Sequence, residues 1–162
     1  MDQSDIIRQK IYNQENISEI LAYWKFKSKK IVFTNGCFDI IHRGHIEYLA
    51  KAASMGDVLM IGLNTDASVR RLKGEGRPVQ DQYSRALILA SFFFIDAVVF
   101  FDDDTPANLI ETVQPDVLVK GGDYEPDKIV GADTVQKKGG LVTTIPFVDG
   151  FSTTSILKSV IK

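Results

Sequence analysis

His42 and His45 are the only two histidines in this chain of 162 residues, and they lie three positions apart in the motif His-Arg-Gly-His. They come after a short apolar run and before a predicted helix, and a spacing of three places two side chains on one face of a helical turn. The N-terminus of a helix presents free N–H groups that favour an anion. Gly44, between the histidines, has no side chain to keep a bulky ligand from the backbone. The pattern predicts an anion-binding site.

Two other interpretations of these histidines remain open. They could be capping or surface residues of the helix. Alternatively, Cys37, Asp39 and the two histidines offer the ligand types that zinc prefers. The helical zinc motif spaces its histidines by four and adds a glutamate as base, and that glutamate is missing here. We therefore expect an anion site rather than a zinc site.

The elements that must position the histidines alternate along the chain. Periodic apolar residues predict helices, over 17–27, 45–54, 66–72, 81–93 and 132–138. Two more helices are predicted to begin at capping residues, one at Thr105 before Pro106 and one at Ser152. Short apolar runs predict strands, over 30–34, 57–63, 97–101, 116–120 and 141–146. Such alternation is typical of an α/β fold with a doubly wound parallel sheet, here of five strands. We expect one domain over 1–162, with a helical lead-in over about 1–29.

Ligands of parallel α/β sheets bind beyond the carboxyl ends of the strands. Four polar motifs of this chain follow, or lie close after, predicted strands: TNGCFD, LNTD, VKGGD and GFSTT. The edge of the sheet that carries the histidines is therefore the predicted ligand site.

Composition excludes several classes of function. Lys and Arg number 19 against 21 Asp and Glu, a net charge of −2, which argues against a nucleic-acid partner. With Cys37 as its one cysteine the chain can form no internal disulfide, which fits a reducing compartment. The acidic start over 1–5 is unlike a signal peptide. The longest apolar stretch, 86–101, is interrupted by Ser91 and Asp96, whereas a membrane span needs roughly 18 apolar residues. We expect a cytoplasmic protein with no membrane partner.

The motif His-Arg-Gly-His matches the HxGH signature of the nucleotidyltransferase superfamily, whose adenylyl- and cytidylyltransferases have a Rossmann-like fold. Beyond it, the chain resembles the D-glycero-β-D-manno-heptose 1-phosphate adenylyltransferases from about Lys10 onward. The matching segments are FTNGCFDIIHRGHIEYL, GLNTDASVRRLKGEGRPV, DAVVFFDDDTP, PDVLVKGGDY, IVGAD and GFSTTSIL. HxGH alone indicates the superfamily, whereas GEGRPV, VKGGDY and GFSTT together are much more specific.

This resemblance implies a reaction. AMP passes from ATP to a sugar 1-phosphate, pyrophosphate leaves, and ADP-heptose is formed for the lipopolysaccharide core. The attacking phosphate, with a second pKa of about 6, is already mostly dianionic at neutral pH, so direct in-line attack needs no general base. Magnesium is expected with ATP, carried mainly by its phosphates and not by protein ligands. The chain lacks the sugar-kinase domain that many members carry, so a separate heptose kinase is implied.

The same resemblance assigns roles to residues on the matching motifs. Catalysis is assigned to His42, His45 and Lys73. Nucleotide binding is assigned to Asn35, Gly36, Cys37, Phe38, Gly44, Lys120, Gly122, Asp123, Ser152, Thr153 and Thr154. Substrate binding is assigned to Asp39, Asp66, Lys73 and Arg77. Two helix N-termini would then converge on one triphosphate.

Plainer interpretations exist for the charged and capping residues. Ser152 would cap the last helix in either case. Lys73 and Arg77 lie in or beside a glycine-rich loop, where charged side chains are often only solvated. Lys120 could likewise be solvated at the end of its strand.

Three further features are expected to be structural. Cys37 is expected to pack rather than to act as a nucleophile, because direct displacement has no use for one. The acidic run 102–104 precedes a predicted helix and is expected to be a solvated turn rather than a magnesium site. The phenylalanines at 92–94 are expected in the core or at a subunit interface.

Rival functions are also open. The nearest is a sister enzyme of the glycerol-3-phosphate cytidylyltransferase or phosphopantetheine adenylyltransferase type. A non-catalytic nucleotide-binding module and a zinc hydrolase belong to other classes. No GxGxxG fingerprint and no Walker A motif occur, which disfavours an NAD enzyme or a P-loop ATPase. The small size is compatible with a homodimer.

Overall fold

Six parallel strands form one sheet at the centre of the computed structural model, which describes residues 2–122 and 124–160. The strands are β1 (Ile11–Tyr12), β2 (Ile31–Gly36), β3 (Val58–Asn64), β4 (Ala97–Phe101), β5 (Val117–Gly121) and β6 (Leu141–Ile145). Their order across the sheet is β1-β4-β3-β2-β5-β6, and each neighbouring pair is parallel.

Helices cover both faces of the sheet. They are α1 (Gln3–Arg8), α2 (Ile17–Phe26), α3 (Arg43–Ala53), α4 (Asp66–Lys73), α5 (Gln82–Ala90), α6 (Ala107–Val113), α7 (Ala132–Lys137) and α8 (Thr153–Val160), with a 3₁₀ turn over Pro126–Lys128. Buried side chains of α2, α6 and α7 pack on one face, and those of α3 and α5 pack on the other. The sheet is therefore doubly wound, as the sequence predicted.

The strands bury both of their faces. Every residue of β3 is buried, and in β2 the side chains of Ile31 and Phe33 join one apolar cluster while Val32 joins the other. Burial on both faces explains why these strands are continuous apolar runs rather than alternating ones.

The sheet order reverses at its centre. From β2 the chain adds β3 and β4 on one side, then crosses over to place β5 on the other side of β2. Such a switch point opens a crevice beyond the carboxyl ends of the two central strands. In this protein those ends are Gly36 and Gly121.

The expected α/β parallel sheet is confirmed, with one strand more than predicted. The sixth strand, β1, has two residues that pair with Val98 and Val99, so it is too short to show a periodic pattern. The lead-in over 1–29 is therefore not helical throughout. The helix expected to be capped by Thr105 instead has Pro106 at its N-cap. None of the helices in the described chain is long and apolar enough to cross a membrane.

Candidate active site

A cleft of about 620 Å³ lies at the carboxyl ends of the central strands. Among the residues that line it are eleven of the predicted site residues: Asn35, Gly36, Cys37, Phe38, Asp39, His45, Lys73, Arg77, Lys120, Thr153 and Thr154. The topology of the sheet thus brings together motifs that lie more than 100 positions apart in the sequence.

The two histidines stack on each other at the start of α3. Their ring centroids are 3.9 Å apart, with an angle of 26° between the planes, and the edge of Phe38 contacts His45. His42 is the N-cap residue, but its side chain accepts no capping hydrogen bond. His45 lines the cleft. The predicted proximity is confirmed, and the capping interpretation finds no hydrogen bond to support it.

Burial keeps both imidazoles neutral at pH 7. It lowers the pKa of His42, and burial together with the neighbouring His42 lowers the pKa of His45 to about 4. The carbonyl of Ile40 partly opposes this by favouring the protonated ring. Over the described residues, neither Nδ1 atom has a hydrogen-bond partner of normal geometry. A bound anion would favour the protonated form of these rings and so raise both pKa values.

Asp39 anchors the segment that carries Arg77. Its carboxylate is almost fully buried and accepts hydrogen bonds from Nε of Arg77 at 2.7 Å and from the amides of Val79 and Gln80 at 2.8–3.0 Å. Burial would raise the pKa of Asp39, but these three donors together lower it. Both Asp39 and Arg77 line the cleft. A substrate that binds Asp39, as predicted, would have to compete with these internal donors for its carboxylate.

Asp66 lies outside the lining of the cleft. At the first turn of α4, its carboxylate accepts a hydrogen bond from Arg85 at 2.7 Å. Its predicted role in substrate binding stays a prediction. The arginine was missed by the sequence analysis, although Arg85 precedes Leu89 by four positions and so falls on the apolar stripe of α5.

Two lysines bring positive charge into the cleft. Lys120 is the last residue but one of β5, beside the switch point, and burial lowers its pKa. Lys73 is the last residue of α4 and is exposed to solvent, just before the loop that leads to Arg77. Neither ammonium group makes an ion pair within residues 2–122 and 124–160, so both are available to an anionic ligand.

Glycines and an aromatic ring shape the wall next to β5. A Cβ atom on Gly121 would lie 2.5 Å from the ring of Phe147, so only glycine fits beneath that ring. Gly122 has a φ of 103° and donates its amide hydrogen to the carbonyl of Ile145. It does not line the cleft. The predicted site residue Asp123 lies outside the described residues.

The start of α8 also lines the cleft. Oγ of Ser152 accepts a hydrogen bond from the amide of Ser155, which confirms the predicted N-cap, and Thr153 and Thr154 line the cleft. A Cβ atom on Gly44 would lie 3.0 Å from the ring of His42 and 3.4 Å from Phe151. Glycine between the histidines therefore lets the starts of α3 and α8 approach each other.

Cys37 is half-buried and lines the cleft. It therefore packs only in part, as expected, and also faces the site. Burial raises the pKa of its thiol, which disfavours the nucleophilic thiolate. We expect Cys37→Ser to retain most of the activity and ATP alone to leave no labelled adduct on the protein. Incubation with ATP labelled in the α-phosphate, followed by mass spectrometry of the intact chain, checks this. A stoichiometric adduct lost in Cys37→Ser would contradict it.

The acidic turn 102–104 is exposed but not merely solvated. Arg71 donates to the carboxylate of Asp104 at 2.9 Å and pairs with Asp102 at 3.6 Å, so the turn is tied to α4. No group of three or more His, Cys, Asp or Glu is clustered to hold a metal ion in the described parts of the chain. The phenylalanines at 92–94 lie beyond the end of α5. Phe92 and Phe94 are partly buried against the core, as expected, whereas Phe93 is 91% exposed and is not a core residue.

Comparison with known proteins agrees with this geometry. The sequence model of the cytidylyltransferase-like family matches residues 33–158, which is most of the chain. The chain belongs to the cytidylyltransferase-like family. It is thus a nucleotidyltransferase, as its HxGH motif predicted.

Longer proteins are similar to this chain over most of its length. The bifunctional protein HldE of Geobacter metallireducens is 57% identical over 153 residues, which is 94% of this chain and 31% of that protein. HldE of Campylobacter jejuni subsp. doylei is 56% identical over 142 residues, 88% of this chain and 30% of that protein. The chain therefore spans about a third of the length of these relatives. The expected stand-alone form and separate kinase stay predictions.

Two solved structures share the fold. A lipopolysaccharide core biosynthesis protein from Thermoplasma volcanium superposes with a TM-score of 0.59 and 27% identity, over 74% of this chain and 97% of that one. The pantoate-beta-alanine ligase of Francisella tularensis superposes with a TM-score of 0.55 over 92% of this chain and 76% of that one. Its identity of 15% makes that likeness one of fold alone.

Proposed function

We propose that this chain transfers AMP from ATP to D-glycero-β-D-manno-heptose 1-phosphate, giving ADP-heptose and pyrophosphate for the lipopolysaccharide core. The observation that carries the proposal is the cleft in which His45 meets Lys73, Lys120 and the start of α8. The sequence motifs after β3, β5 and β6 support the choice of sugar. The Thermoplasma structure, described as a lipopolysaccharide core biosynthesis protein, supports the same pathway.

The nucleotide lies between the starts of α3 and α8 in this proposal. Backbone amides at the two helix starts and the turn after Gly36 receive the triphosphate, because helix N-termini favour anions. The aromatic wall of Phe147 and Tyr124 offers a flat apolar surface for the base, next to Gly121.

The acceptor lies on the opposite side, near Lys73 and Arg77. Nε of Arg77 is held by Asp39, which leaves the terminal nitrogens of its guanidinium for phosphate oxygens. The sugar phosphate attacks the α-phosphate directly, with its own oxygen as the nucleophile. His42, His45 and Lys120 then stabilise the charge that develops on the α-phosphate and the departing pyrophosphate.

Magnesium fits this site as a companion of ATP. Of the acidic residues at the cleft, Asp39 is held by Arg77 and Asp104 is held by Arg71. The ion would therefore be bound mainly by phosphate oxygens and water. When bound, it supplies charge neutralisation for the triphosphate.

A cytidylyltransferase is the second candidate, because the family model that matches carries that description. Both candidate functions can be tested by measuring pyrophosphate release with ATP, CTP, GTP and UTP against a panel of sugar and polyol phosphates. We expect the highest kcat/KM for ATP with the heptose 1-phosphate. A preference for CTP with glycerol 3-phosphate would favour the sister enzyme. Pyrophosphate release that needs no acceptor would indicate a hydrolase, and no release with any nucleotide and acceptor would indicate a non-catalytic module. A protein that uses ATP in this way is expected in the cytoplasm.

Binding of ATP is expected to take up a proton between about pH 4 and 6.5. The pKa of His45 in the free protein is about 4, and a bound triphosphate raises it toward or above the ordinary value of 6.5. Within that window the ring is neutral when free and protonated when bound. Calorimetry at pH 5.5 in two buffers of different ionisation enthalpy measures the uptake. His45→Gln is the control, and equal uptake in both proteins would contradict the assignment.

A further inference from the structure

Arg85 is the only fully buried arginine in the parts of the chain that the structure describes. Its guanidinium donates to the carbonyls of Cys37 at 2.6 Å, Asn64 at 2.9 Å and Gln80 at 3.0 Å, and to the carboxylate of Asp66 at 2.7 Å. A charge buried this deeply is tolerated only where such partners replace water.

The four acceptors belong to segments that frame the two sides of the cleft. Cys37 begins the turn that leads from β2 to the histidines. Asn64 ends β3, and Asp66 begins α4, the helix that ends at Lys73. Gln80 closes the segment that Arg77 opens, and Asp39 binds both ends of that segment. One side chain thus joins the histidine side of the cleft to its lysine and arginine side.

We propose that Arg85 is a positioning residue that aligns the nucleotide half of the site with the acceptor half. The inference rests on the proposed function, in which ATP lies on the first side and the sugar phosphate on the second. A planar guanidinium with five donors fixes four acceptors in defined directions, whereas the ammonium group of lysine has three donors and no plane. Arg85 is fully buried and does not line the cleft, so its loss should leave each half able to bind but misaligned for reaction.

Arg85→Lys, compared with Leu89→Ala, tests this role kinetically. Leu89 is one turn further along α5 and is buried in the core without polar contacts to the cleft, so its truncation is a control for lost stability. We expect Arg85→Lys to lower kcat at least about tenfold while both KM values change less than about threefold. The folded fraction of Leu89→Ala should keep its kcat. An equal loss of kcat in the two variants would reduce Arg85 to a structural residue and overturn the proposal.

Hydrogen exchange of the free protein tests the same role without substrates. The amides of Val79 and Gln80 donate to Asp39, so peptides over 77–82 and 37–42 report how firmly the two sides are held. Exchange in both peptides should be faster in Arg85→Lys than in Leu89→Ala, and unchanged exchange would overturn the proposal.

If the wild-type chain releases no pyrophosphate, the proposed function fails and exchange alone decides the role of Arg85. Should Arg85→Lys not fold, Asp66→Asn, which replaces the one charged acceptor by a neutral amide oxygen, is expected to show the same pattern more weakly. Wild-type kinetics and exchange in Asp66→Asn would count against the proposal.

Discussion

Replacing His45 by alanine is expected to lower kcat at least about 100-fold, with little change in the KM for either substrate. The ring lies in the cleft, stacked on His42, where it can donate to an oxygen of the α-phosphate as charge develops. Removal of one such preorganised donor typically lowers the rate by about 10²–10³. Initial rates of pyrophosphate release over a range of both substrates measure the effect.

His42→Ala is expected to lower kcat by a similar factor. His42 holds the other ring of the stack, and its loss frees His45 from the orientation that the structure shows. His45→Gln keeps an amide donor in place and is expected to lie between the wild-type chain and His45→Ala. Unchanged melting temperature and ATP affinity would show that the variants are folded. Turnover near that of the wild-type chain in either alanine variant would exclude the histidines from the reaction.

Arg77→Ala is expected to raise the KM for the sugar phosphate by roughly 10- to 150-fold and to leave ATP affinity nearly unchanged. The loss of a charge-assisted hydrogen bond typically costs about 1.5–3 kcal/mol, which corresponds to that range. Asp39 keeps its hydrogen bonds from the amides of Val79 and Gln80, so the segment retains part of its anchor. Calorimetry with each substrate separates the two affinities.

Arg70→Ala is the matched control for this variant. Arg70 lies on α4, exposed and away from the lining of the cleft, so its removal changes the net charge by the same amount without touching the site. Its kinetic constants are expected to stay at wild-type values. If ATP affinity were lost in Arg77→Ala while sugar-phosphate affinity remained, the loop would belong to the nucleotide side.

The fold was predictable because its signals are local. Strands buried on both faces, such as β3, are continuous apolar runs, and Ser152 caps α8 within four residues of its partner Ser155. The two residues of β1 pair across the chain with Val98 and Val99, and no local pattern marks a strand so short. The sixth strand could therefore be found only from the structure.

Sequence motifs named eleven residues that line the cleft, but they could not show how the charged residues pair with one another. Motif positions placed His45 and Lys120 at one cleft, and the structure brings them to it. The sequence does not record which opposite charges meet, and Arg77 reaches Asp39 across 38 positions while Arg85 reaches Cys37 across 48. The substrate contact expected of Asp39 stays a prediction, and its anchoring of the loop that carries Arg77 is known only from the structure.

The most direct measurement of the proposed reaction follows the oxygens of the acceptor. The heptose 1-phosphate is labelled with ¹⁸O in the three phosphate oxygens that do not bridge to the sugar. It is then incubated with unlabelled ATP, and the masses of the products are measured by mass spectrometry. Direct attack on the α-phosphate predicts that ADP-heptose retains all three labels and that pyrophosphate carries none. Label in free phosphate or pyrophosphate, or no ADP-heptose at all, would contradict the proposed reaction.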